Sequence, residues 1–340
     1  MRAAVARDQQ LVVTEIPDPV HGPGMVLAET IACGICGSDL HALKYGDQMA
    51  EVAAAAGYPA DLDGDVVMGH EFSARVVELG PEAAGFAVGD VVVSIPLVIT
   101  PDGPSQIGYS TRYPGGYGER MVLSPAMCIK IPAGVDPRHA ALTEPMAVGV
   151  HAVAKARLQP GEGAIVVGCG PIGLAITAGL RLAGAEPIVA ADFSPGRRKL
   201  AAHMGAHVVV DPREEPAIEA WQKAAGARTP VIFEAVGVRG MLDQIMLWAP
   251  RSTRIVVAGV CMEPDTIRPL IAIAKEVNVQ FVLGYDPLEF YNTLGYIAEG
   301  KIDVAPLITG EVGIAGVPEA FEALADPEKH AKILVEPALG

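Results

Sequence analysis

Hydrophobic and polar positions divide the chain into two regions with different patterns. Before Leu142, short runs rich in Val, Ile and Ala are separated by turn residues such as Gly-Asp and Gly-Gly. Runs of this length between turn residues are typical of β-strands. The pattern predicts a β-rich first region, with strands at residues 11–15, 25–32, 74–79 and 91–95.

The pattern changes near Leu142, where apolar runs of strand length begin to alternate with helical segments. Strands are predicted at residues 164–167, 187–191, 208–210, 231–234, 254–258 and 279–283. Helices are predicted at residues 143–156, 172–183, 195–204, 216–225 and 239–248. This alternation predicts βαβ units around a parallel sheet, and the number of strands suits a doubly wound Rossmann domain.

The residues beyond Pro287 predict a helix at 288–299 and a short mixed tail that ends in the apolar run 332–335. Such a tail is too small to fold alone, so we expect it to return to the first region. The predicted organisation is an α/β protein in which residues 1–147 and 288–340 form one discontinuous domain. Residues 148–287 form the dinucleotide-binding domain inserted into it.

Composition and charge exclude several functional classes. Apolar residues make up 51% of the 340 residues and charged residues 19%, which is typical of a folded chain rather than a disordered one. The formal net charge is −15, and a surface of that sign repels phosphate backbones. We therefore expect no nucleic-acid partner.

Cysteine usage and the N-terminus predict a cytoplasmic protein. The five cysteines are too few and too scattered for a disulfide scaffold, and an odd number fits a reducing compartment. The first residues lack the apolar run of a signal peptide. The uncharged stretch 163–180 is long enough to span a membrane, but its glycines and Pro171 favour a buried strand–turn–helix. No membrane span is therefore expected.

Residues 46–65 form an acidic insert with five acids and no base. A short helix is predicted within it at residues 49–56. We interpret the insert as a solvated surface loop.

The motif Gly168-Cys169-Gly170-Pro171-Ile172-Gly173 matches G-x-G-x-x-G, follows a predicted strand and opens a predicted helix. In this pattern Gly168 allows a tight turn, Gly170 lets the backbone approach a pyrophosphate, and Gly173 permits close packing of helix on strand. The helix N-terminus then presents free N–H groups to the phosphates. An ordinary glycine turn is the alternative, and the flanking strand and helix favour a dinucleotide site.

Asp192, at the end of the next predicted strand, favours NAD as the cofactor. A carboxylate in this position accepts hydrogen bonds from ribose hydroxyls and repels a 2′-phosphate. Arg197, which is followed by two further cations, is also a candidate cofactor-binding residue. These cations can tolerate a phosphate, so they count against a strict preference for NAD.

Cys33-Gly34-Ile35-Cys36 is a C-x-x-C motif with two interpretations. A thioredoxin-like redox pair needs a βαβ setting, whereas this motif lies in the β-rich region. The other interpretation is a metal site in which a cysteine acts with His70, Glu71 or Glu144. A thiolate, an imidazole and a carboxylate suit zinc, and three protein ligands leave one position open. Against both stands the possibility that Cys36 and His70 are ordinary core residues.

Four motifs in order carry a resemblance to a known family. They are Gly34-Ile35-Cys36-Gly37-Ser38-Asp39-Leu40-His41, Gly69-His70-Glu71, Glu144-Pro145 and the glycine motif with Leu174 after it. With them, the chain resembles the zinc-dependent medium-chain alcohol dehydrogenases over nearly its whole length, and most of all the polyol/sorbitol, butanediol and threonine dehydrogenase branch. The resemblance implies a GroES-like β-barrel catalytic domain that carries the metal, and a Rossmann domain that binds NAD.

The resemblance also implies a ligand set for the metal. Cys36 and His70 resemble the catalytic zinc ligands, and Asp39 resembles a residue that lies behind them. Glu71 resembles an acid that ligates zinc directly in some relatives and indirectly in others. Glu144 occupies the place of a further acid or cysteine near the metal. Two carboxylates and a thiolate exceed the charge of Zn²⁺, so we expect that Glu71 and Glu144 do not both bind at full strength.

The implied activity is hydride transfer between NAD and an alcohol, a secondary alcohol or vicinal diol, with the ketone as the other substrate. Ser38 resembles the hydroxyl that binds the substrate oxygen, and His41 resembles the outer proton acceptor. We expect a homo-oligomer, either a dimer or a tetramer. Two alternatives are a zinc-independent NAD(P)H-dependent reductase of activated double bonds and a non-catalytic nucleotide-binding protein. The intact Cys36 and His70 argue against both.

The chain departs from its relatives in two places. Many of them hold a structural zinc with four closely spaced cysteines, but the corresponding residues 91–120 contain no cysteine. We therefore expect one catalytic zinc per chain and no structural zinc. The segment between Cys36 and His70 is also longer than usual because of the acidic insert, so substrate specificity does not transfer directly.

Overall fold

The computed structural model describes residues 1–55, 61–326 and 328–340, which form two compact units. The first unit contains Met1–Glu144 and Ile308–Gly340, and the second contains Pro145–Leu307. Within the described residues, none of the helices has both the length and the apolar character needed to cross a membrane.

The N-terminal segment of the first unit is rich in strands. Its elements are β1 (Arg2–Arg7), β2 (Gln10–Glu15), β3 (Val26–Gly34), α1 (Gly37–Ala55), β4 (Glu71–Leu79), β5 (Val91–Ser94), β6 (Leu97–Thr100), β7 (Gly103–Gln106), β8 (Arg120–Leu123), β9 (Cys128–Lys130) and α2 (Pro137–Ala141). The helix predicted at 49–56 is part of α1, which begins much earlier, at Gly37, and is kinked at Tyr45. Residue 56 lies outside the described residues, as does the stretch of the acidic insert up to residue 60.

The second unit alternates helices and strands, as its sequence pattern predicts. Its elements are α3 (Thr143–Ala156), β10 (Ala164–Val167), α4 (Pro171–Leu182), β11 (Ile188–Ala191), α5 (Pro195–Met204), β12 (Val208–Val210), α6 (Ala217–Ala225), β13 (Val231–Glu234), α7 (Met241–Trp248), β14 (Arg254–Val257), α8 (Pro269–Lys275), β15 (Asn278–Phe281) and α9 (Pro287–Ala298). The strands form one parallel sheet in the order β12-β11-β10-β13-β14-β15. This order is that of a doubly wound Rossmann sheet, so the predicted strands and fold class of this region are confirmed.

The core of the second unit explains why its central strands read as continuous apolar runs. Ile165, Val189, Ile232 and Ile255, from four neighbouring strands, are buried in one cluster with Trp221 of α6. Helices cover both faces of such a parallel sheet, so alternation of polar and apolar residues is lost.

The C-terminal segment returns to the sheet of the first unit. It contains β16 (Ile308–Val312), α10 (Val317–Leu324) and β17 (Lys332–Val335); 3-10 turns occur at Pro125–Met127, Ala305–Leu307, Ile314–Gly316 and Pro337–Leu339. The sheet has the order β16-β17-β3-β4-β5-β9, with β8 also paired to β3. β17 runs antiparallel to β3 and places Leu334 opposite Gly34.

Residues 288–307 lie in the second unit, whereas the predicted boundary placed them in the first. The helix α9 accounts for the difference. Its Glu289 lies 2.6 Å from Nδ1 of His151 on α3, and its Phe290 and Leu294 are buried. The apolar face of α9 therefore belongs to the second unit.

Candidate active site

Three predicted metal ligands meet at the ends of two paired strands. β3 and β4 are antiparallel, with Gly34 opposite Glu71, so the turn that carries Cys36 lies beside His70 and Glu71. The thiol of Cys36, the imidazole of His70 and the carboxylate of Glu71 each offer an atom within 4.8 Å of the others. We call these three residues the metal site.

Asp39, in the first turn of α1, lies behind His70. It is fully buried, and its Oδ1 is 3.3 Å from Nδ1 of His70. Its carboxylate also accepts hydrogen bonds from the hydroxyls of Tyr117 at 2.5 Å and Tyr109 at 2.9 Å, and from the backbone N–H of Cys36 at 3.2 Å. Burial alone would raise the pKa of Asp39, but the charge of His70 and these hydrogen bonds lower it. Asp39 therefore stays ionised and lies within ion-pair distance of Nδ1 of His70, so Nε2 is the nitrogen available to a metal.

Glu71 has a partner that the sequence motifs did not reveal. Lys332, in β17, donates to both oxygens of Glu71, at 2.8 and 2.6 Å, and to the carbonyl of Ile35 at 2.9 Å. Both side chains are buried. Burial lowers the pKa of Lys332, but the charge of Glu71, the hydrogen bond with it and the other acidic groups nearby together raise the pKa above its usual value. The carboxylate of Glu71 thus reaches the metal site with its charge already compensated.

A signal for Lys332 was present in the sequence. It opens an apolar run, Lys332-Ile-Leu-Val, that forms a buried strand. Lysine is almost never fully buried unless it is paired, so a lysine in such a run predicts a buried acid nearby. The local spacing does not say which acid.

Ser38 lies directly beside the metal site, while His41 follows on the same helix. The Oγ of Ser38 donates to Sγ of Cys36 at 3.1 Å. His41 is half-buried, and its Nδ1 has no hydrogen-bond partner among the described residues. Burial lowers the pKa of His41, and Lys44 adds to the effect. The structure thus joins Ser38 to the predicted ligand Cys36, while proton transfer from Ser38 to His41 stays a prediction.

Glu144 lies in the first turn of α3 and is partly exposed. Glu144 is not among the residues whose ligand atoms lie within 4.8 Å of one another. Its charge nevertheless contributes to the raised pKa of Lys332. Its role as a ligand therefore stays a prediction.

The environment of Cys33 disfavours a redox pair. Cys33 lies inside the antiparallel strand β3 and is fully buried. Burial raises the pKa of its thiol well above the usual range. A thiol that resists ionisation is a poor nucleophile, so a redox role for the C-x-x-C motif is disfavoured.

The donor set of the metal site fits zinc. A thiol and an imidazole with a carboxylate behind its other nitrogen form the arrangement that zinc sites use. Cys36 is half-buried, while His70 and Glu71 are buried, so the site opens on the side of the thiol. Cys36 and His70, with Glu71 or Glu144, are the residues that would hold the ion.

The glycine motif forms the turn between β10 and α4. Gly168 has φ +91°, a conformation that L side chains rarely adopt, and a Cβ on Gly173 would lie 1.9 Å from the carbonyl oxygen of Gly168. Gly170 caps α4, Pro171 is its first residue, and Ile172 follows. The turn therefore presents the free N–H groups at the start of α4, which is how such motifs bind a pyrophosphate.

Asp192 and Arg197 lie beside this turn. The carboxylate of Asp192 accepts the N–H of Cys169 at 2.7 Å and that of Ser194 at 2.8 Å. The Nε of Arg197 is buried without a hydrogen-bond partner among the described residues, and its Nη1 would lie 4.0 Å from a Cβ on Gly170. The guanidinium of Arg197 and the carboxylate of Asp192 thus both lie at the glycine turn. A cation for phosphate and an acceptor for ribose hydroxyls are the groups that a dinucleotide site needs.

Two family profiles match the chain. Residues 22–133 match the alcohol dehydrogenase GroES-like domain, and residues 171–299 match the zinc-binding dehydrogenase domain. A (R,R)-butanediol dehydrogenase of Bacillus subtilis (strain 168) is 32% identical over 351 aligned positions, which cover 99% of this chain and 100% of that protein. A sorbitol dehydrogenase of Arabidopsis thaliana is 30% identical over 93% of this chain and 89% of that protein.

Solved structures agree with these matches. The crystal structure of 2R,3R-butanediol dehydrogenase from Bacillus subtilis has a TM-score of 0.85 and 31% identity, and the match covers 99% of each chain. A protein described as a zinc-binding dehydrogenase from Sinorhizobium meliloti 1021, bound to NADP, has a TM-score of 0.83 and 26% identity over 99% of each chain.

Proposed function

Because the chain belongs to the zinc-dependent medium-chain alcohol dehydrogenases, we propose that it interconverts a secondary alcohol or vicinal diol and the corresponding ketone. The family and the relatives establish an alcohol or polyol oxidoreductase and favour it over a zinc-independent reductase of double bonds. The observation that carries the proposal is the contact of Ser38 with Cys36 inside the metal site. This contact supports a role for the Ser38 hydroxyl in binding the oxygen of an alcohol at the metal and in relaying its proton.

The residues of the first unit divide the chemistry among them. Bound zinc would supply Lewis-acid chemistry, which lowers the pKa of a hydroxyl at its open position. Ser38 would bind the oxygen of the alcohol and take up its proton. His41, neutral above its lowered pKa, would accept the proton farther out. Asp39 would hold His70 in the tautomer that binds metal.

Charge suggests which glutamate ligates the metal. Lys332 already neutralises Glu71, so the thiolate of Cys36 and the carboxylate of Glu144 would together balance Zn²⁺. We propose Glu144 as the third ligand. Zinc affinity should then fall further in Glu144→Gln than in Glu71→Gln, and the reverse order would contradict the assignment.

The acidic insert supports a neutral substrate. Its end lies next to the segment that carries Tyr109: the N–H of Asp61 donates to the carbonyl of Tyr109, and Asp61 accepts a hydrogen bond from Thr111. A cavity of about 400 Å³ in the same unit is lined by more acids than bases: Asp8, Asp47, Asp63 and Asp65 against Lys44 and Arg7, which pairs with Asp65. Anionic substrates would meet repulsion there, although salt screens exposed charges beyond about 10 Å at 0.1 M.

A panel of substrates tests this proposal. We would measure kcat/KM for 2,3-butanediol, a secondary monoalcohol, sorbitol, threonine and lactate. The diol or the monoalcohol should lead, and lactate should rank last because its carboxylate is repelled. A clear lead for lactate would contradict the electrostatic argument, and a lead for ethanol would contradict the branch of the family.

We propose one zinc per chain. Residues 91–120, which lack cysteine, form β5–β7 and the start of β8 instead of a cysteine-bound lobe. A second group of potential ligands, His151, Asp286 and Glu289, is occupied otherwise: Glu289 accepts from the N–H of Asp286 and contacts His151. Elemental analysis should give one zinc in each chain, and two would contradict the proposal.

We propose that NAD is preferred over NADP. Asp192 supports this preference, because its carboxylate lies at the end of β11 where the ribose hydroxyls bind. Arg197 is the residue that would admit a 2′-phosphate, and the S. meliloti protein is bound to NADP. A higher kcat/KM with NADPH than with NADH would contradict the preference.

We propose a homo-oligomer built on the edge of the Rossmann sheet. β15 ends the strand order, and all four of its residues are exposed. Phe281 and Leu283 are 65% and 79% exposed, and Leu270 of α8 is 76% exposed. An open apolar edge pairs readily with a second copy about a two-fold axis. Sedimentation should give a dimer or tetramer, and Phe281→Lys should weaken it; a monomeric wild type would contradict the proposal.

We also propose a cytoplasmic location. All five cysteines are free thiols, which suits a reducing compartment. Fractionation of cells that express the tagged protein should find it in the cytoplasm, and recovery from an oxidising compartment would contradict this.

A further inference from the structure

The hydroxyl of Tyr109 connects two residues of the site that have different tasks. It lies 2.9 Å from Oγ of Ser38 and 2.9 Å from Oδ1 of Asp39. Tyr109 is buried, and burial together with the charge of Asp39 raises its pKa well above the usual range. It therefore remains a neutral phenol with a single proton to donate.

One proton cannot serve both neighbours at once. The ionised Asp39 only accepts hydrogen bonds, whereas the hydroxyl of Ser38 can donate or accept. While Tyr109 donates to Asp39, Ser38 can donate to the phenol oxygen. When Ser38 directs its own proton elsewhere, Tyr109 can rotate its proton onto Ser38. Tyr109 thus has a hydrogen bond with Ser38 in either state.

The other partner of Ser38 lacks this versatility. Cys36, 3.1 Å away, acts as a metal ligand only as a thiolate, which accepts hydrogen bonds and donates none. If Cys36 were its only partner, Ser38 would point its hydroxyl proton at the sulfur. It would lose this hydrogen bond whenever it passed the proton on. A residue that relays a proton needs a partner that can both donate and accept.

We propose that Tyr109 is the positioning residue that holds Ser38 in place through proton transfer and draws its proton away from Cys36. This role rests on the proposed function, because it matters only if Ser38 takes up the proton of the alcohol. Tyr117 provides a built-in comparison. Its hydroxyl binds Oδ2 of the same Asp39 at 2.5 Å and is not within hydrogen-bonding distance of Ser38 in the described structure.

The test is a double-mutant cycle on the full-length enzyme. Tyr109→Phe should lower kcat about tenfold with little change in KM, because Ser38 is no longer oriented. In a Ser38→Ala background the same change should cost less than about twofold, because the interaction is already gone. Tyr117→Phe, which removes the hydrogen bonds to Asp39 and to the carbonyl of Gly34 but none to Ser38, should cost the same factor in both backgrounds. Tyr113→Phe, which removes a phenol from the same segment without touching Ser38 or Asp39, should leave kcat unchanged.

A spectroscopic measurement reads the contact without turnover. In the Co²⁺-loaded protein, Tyr109→Phe should leave Ser38 donating its hydrogen bond only to the thiolate of Cys36. That hydrogen bond makes the sulfur a weaker electron donor to the metal, so the thiolate-to-cobalt charge-transfer band should shift to higher energy. The shift should vanish in the Ser38→Ala background and should not occur in Tyr117→Phe. If Tyr109→Phe does not fold, 3-fluorotyrosine at position 109 keeps ring and hydroxyl, weakens the oxygen as an acceptor, and should give a smaller shift in the same direction.

The two failures are distinguishable. Equal losses for Tyr109→Phe in both backgrounds, with an unshifted band, would overturn the role of Tyr109 while leaving the alcohol dehydrogenase activity intact. A wild-type protein that binds one zinc but oxidises no alcohol would overturn the proposed function instead.

Discussion

The glycine motif and the metal site are built in different ways. The glycine motif is local: the turn from Gly168 to Gly173 presents backbone N–H groups, and sequence neighbours set its geometry. The metal site joins the side chains of Cys36, His70 and Glu71 from two segments, and the side chains around it, such as Tyr109 and Lys332, come from two more. Each is held by a buried ionic or hydrogen-bonded contact.

This difference predicts where each site is vulnerable. A backbone site tolerates changes of side chain that keep the turn, and its loss affects cofactor binding. A site of buried charges fails when one member is removed, because the remaining charge has neither water nor a partner. Variants that damage one site and spare the other therefore test the comparison.

The largest effect is expected for Cys36→Ala. The variant should lose zinc and all measurable turnover, because it lacks the thiolate ligand, yet bind NADH as the wild type does. Zinc analysis and NADH fluorescence titration check both halves. Cys261→Ala, which changes a thiol of the second unit, should keep zinc and turnover. Loss of NADH binding in Cys36→Ala would show that the two sites are not separable.

Lys332→Met tests the buried pair. We expect the free energy of unfolding to fall by about 3–5 kcal/mol, because the charge of Glu71 is left buried without a partner. Adding Glu71→Gln should recover part of this loss. Lys301→Met, which breaks an exposed pair with Glu299, should cost less than about 1 kcal/mol. Equal costs in urea unfolding for the two lysines would contradict the assigned role.

Asp192→Ala tests the cofactor side. It removes a charged hydrogen-bond acceptor of the ribose and of the N–H of Cys169, so NADH should bind about tenfold or more weakly. The affinity for NADPH should fall less, because the variant no longer has the carboxylate that repels the 2′-phosphate. Zinc content should not change. An unchanged ratio of the two dissociation constants would remove Asp192 from cofactor selection.

The smallest effect is expected for His41→Gln. His41 accepts protons only when neutral, and burial lowers its pKa, so its acid limb in the pH profile should lie below the usual value of about 6.5. The pH profile of the variant should lack this acid limb. At neutral pH its rate should fall only a few-fold, because water replaces an outer proton acceptor. Identical profiles for wild type and variant would exclude His41 from the pathway.

The same contrast explains what could be predicted from sequence. The Rossmann strands follow from apolar runs and turn residues, and α5 begins and ends where predicted, with Ser194 as its N-cap and Gly205 as its C-cap. The helix α8 was not predicted, because most of its apolar residues are exposed and it has no amphipathic pattern.

Within the metal site, motifs identified Cys36, His70 and Glu71 but not the residues around them. Tyr109, Tyr117 and Lys332 are far from these ligands in sequence. The antiparallel pairing of β17 with β3 brings Lys332 to the site. Backbone hydrogen bonds from Gly116 to Gly69 and from Tyr117 to Met68 hold the segment of the two tyrosines beside His70. The lysine at the start of the apolar run 332–335 indicates a buried acid without saying which one, and the two tyrosines carry no local signal for a buried partner. Such contacts depend on tertiary packing, and the spacing of residues along the sequence does not reveal which distant side chains meet.

One measurement tests the central claim most directly, namely that a metal site in one unit performs chemistry on an alcohol while the other unit binds the cofactor. A single preparation would be assayed for 2,3-butanediol oxidation and for NADH binding as purified, after chelation, and after stepwise return of zinc. We expect turnover to vanish on chelation and to rise in proportion to zinc up to one equivalent per chain, with constant affinity for NADH. Full activity in the metal-depleted enzyme would contradict the account.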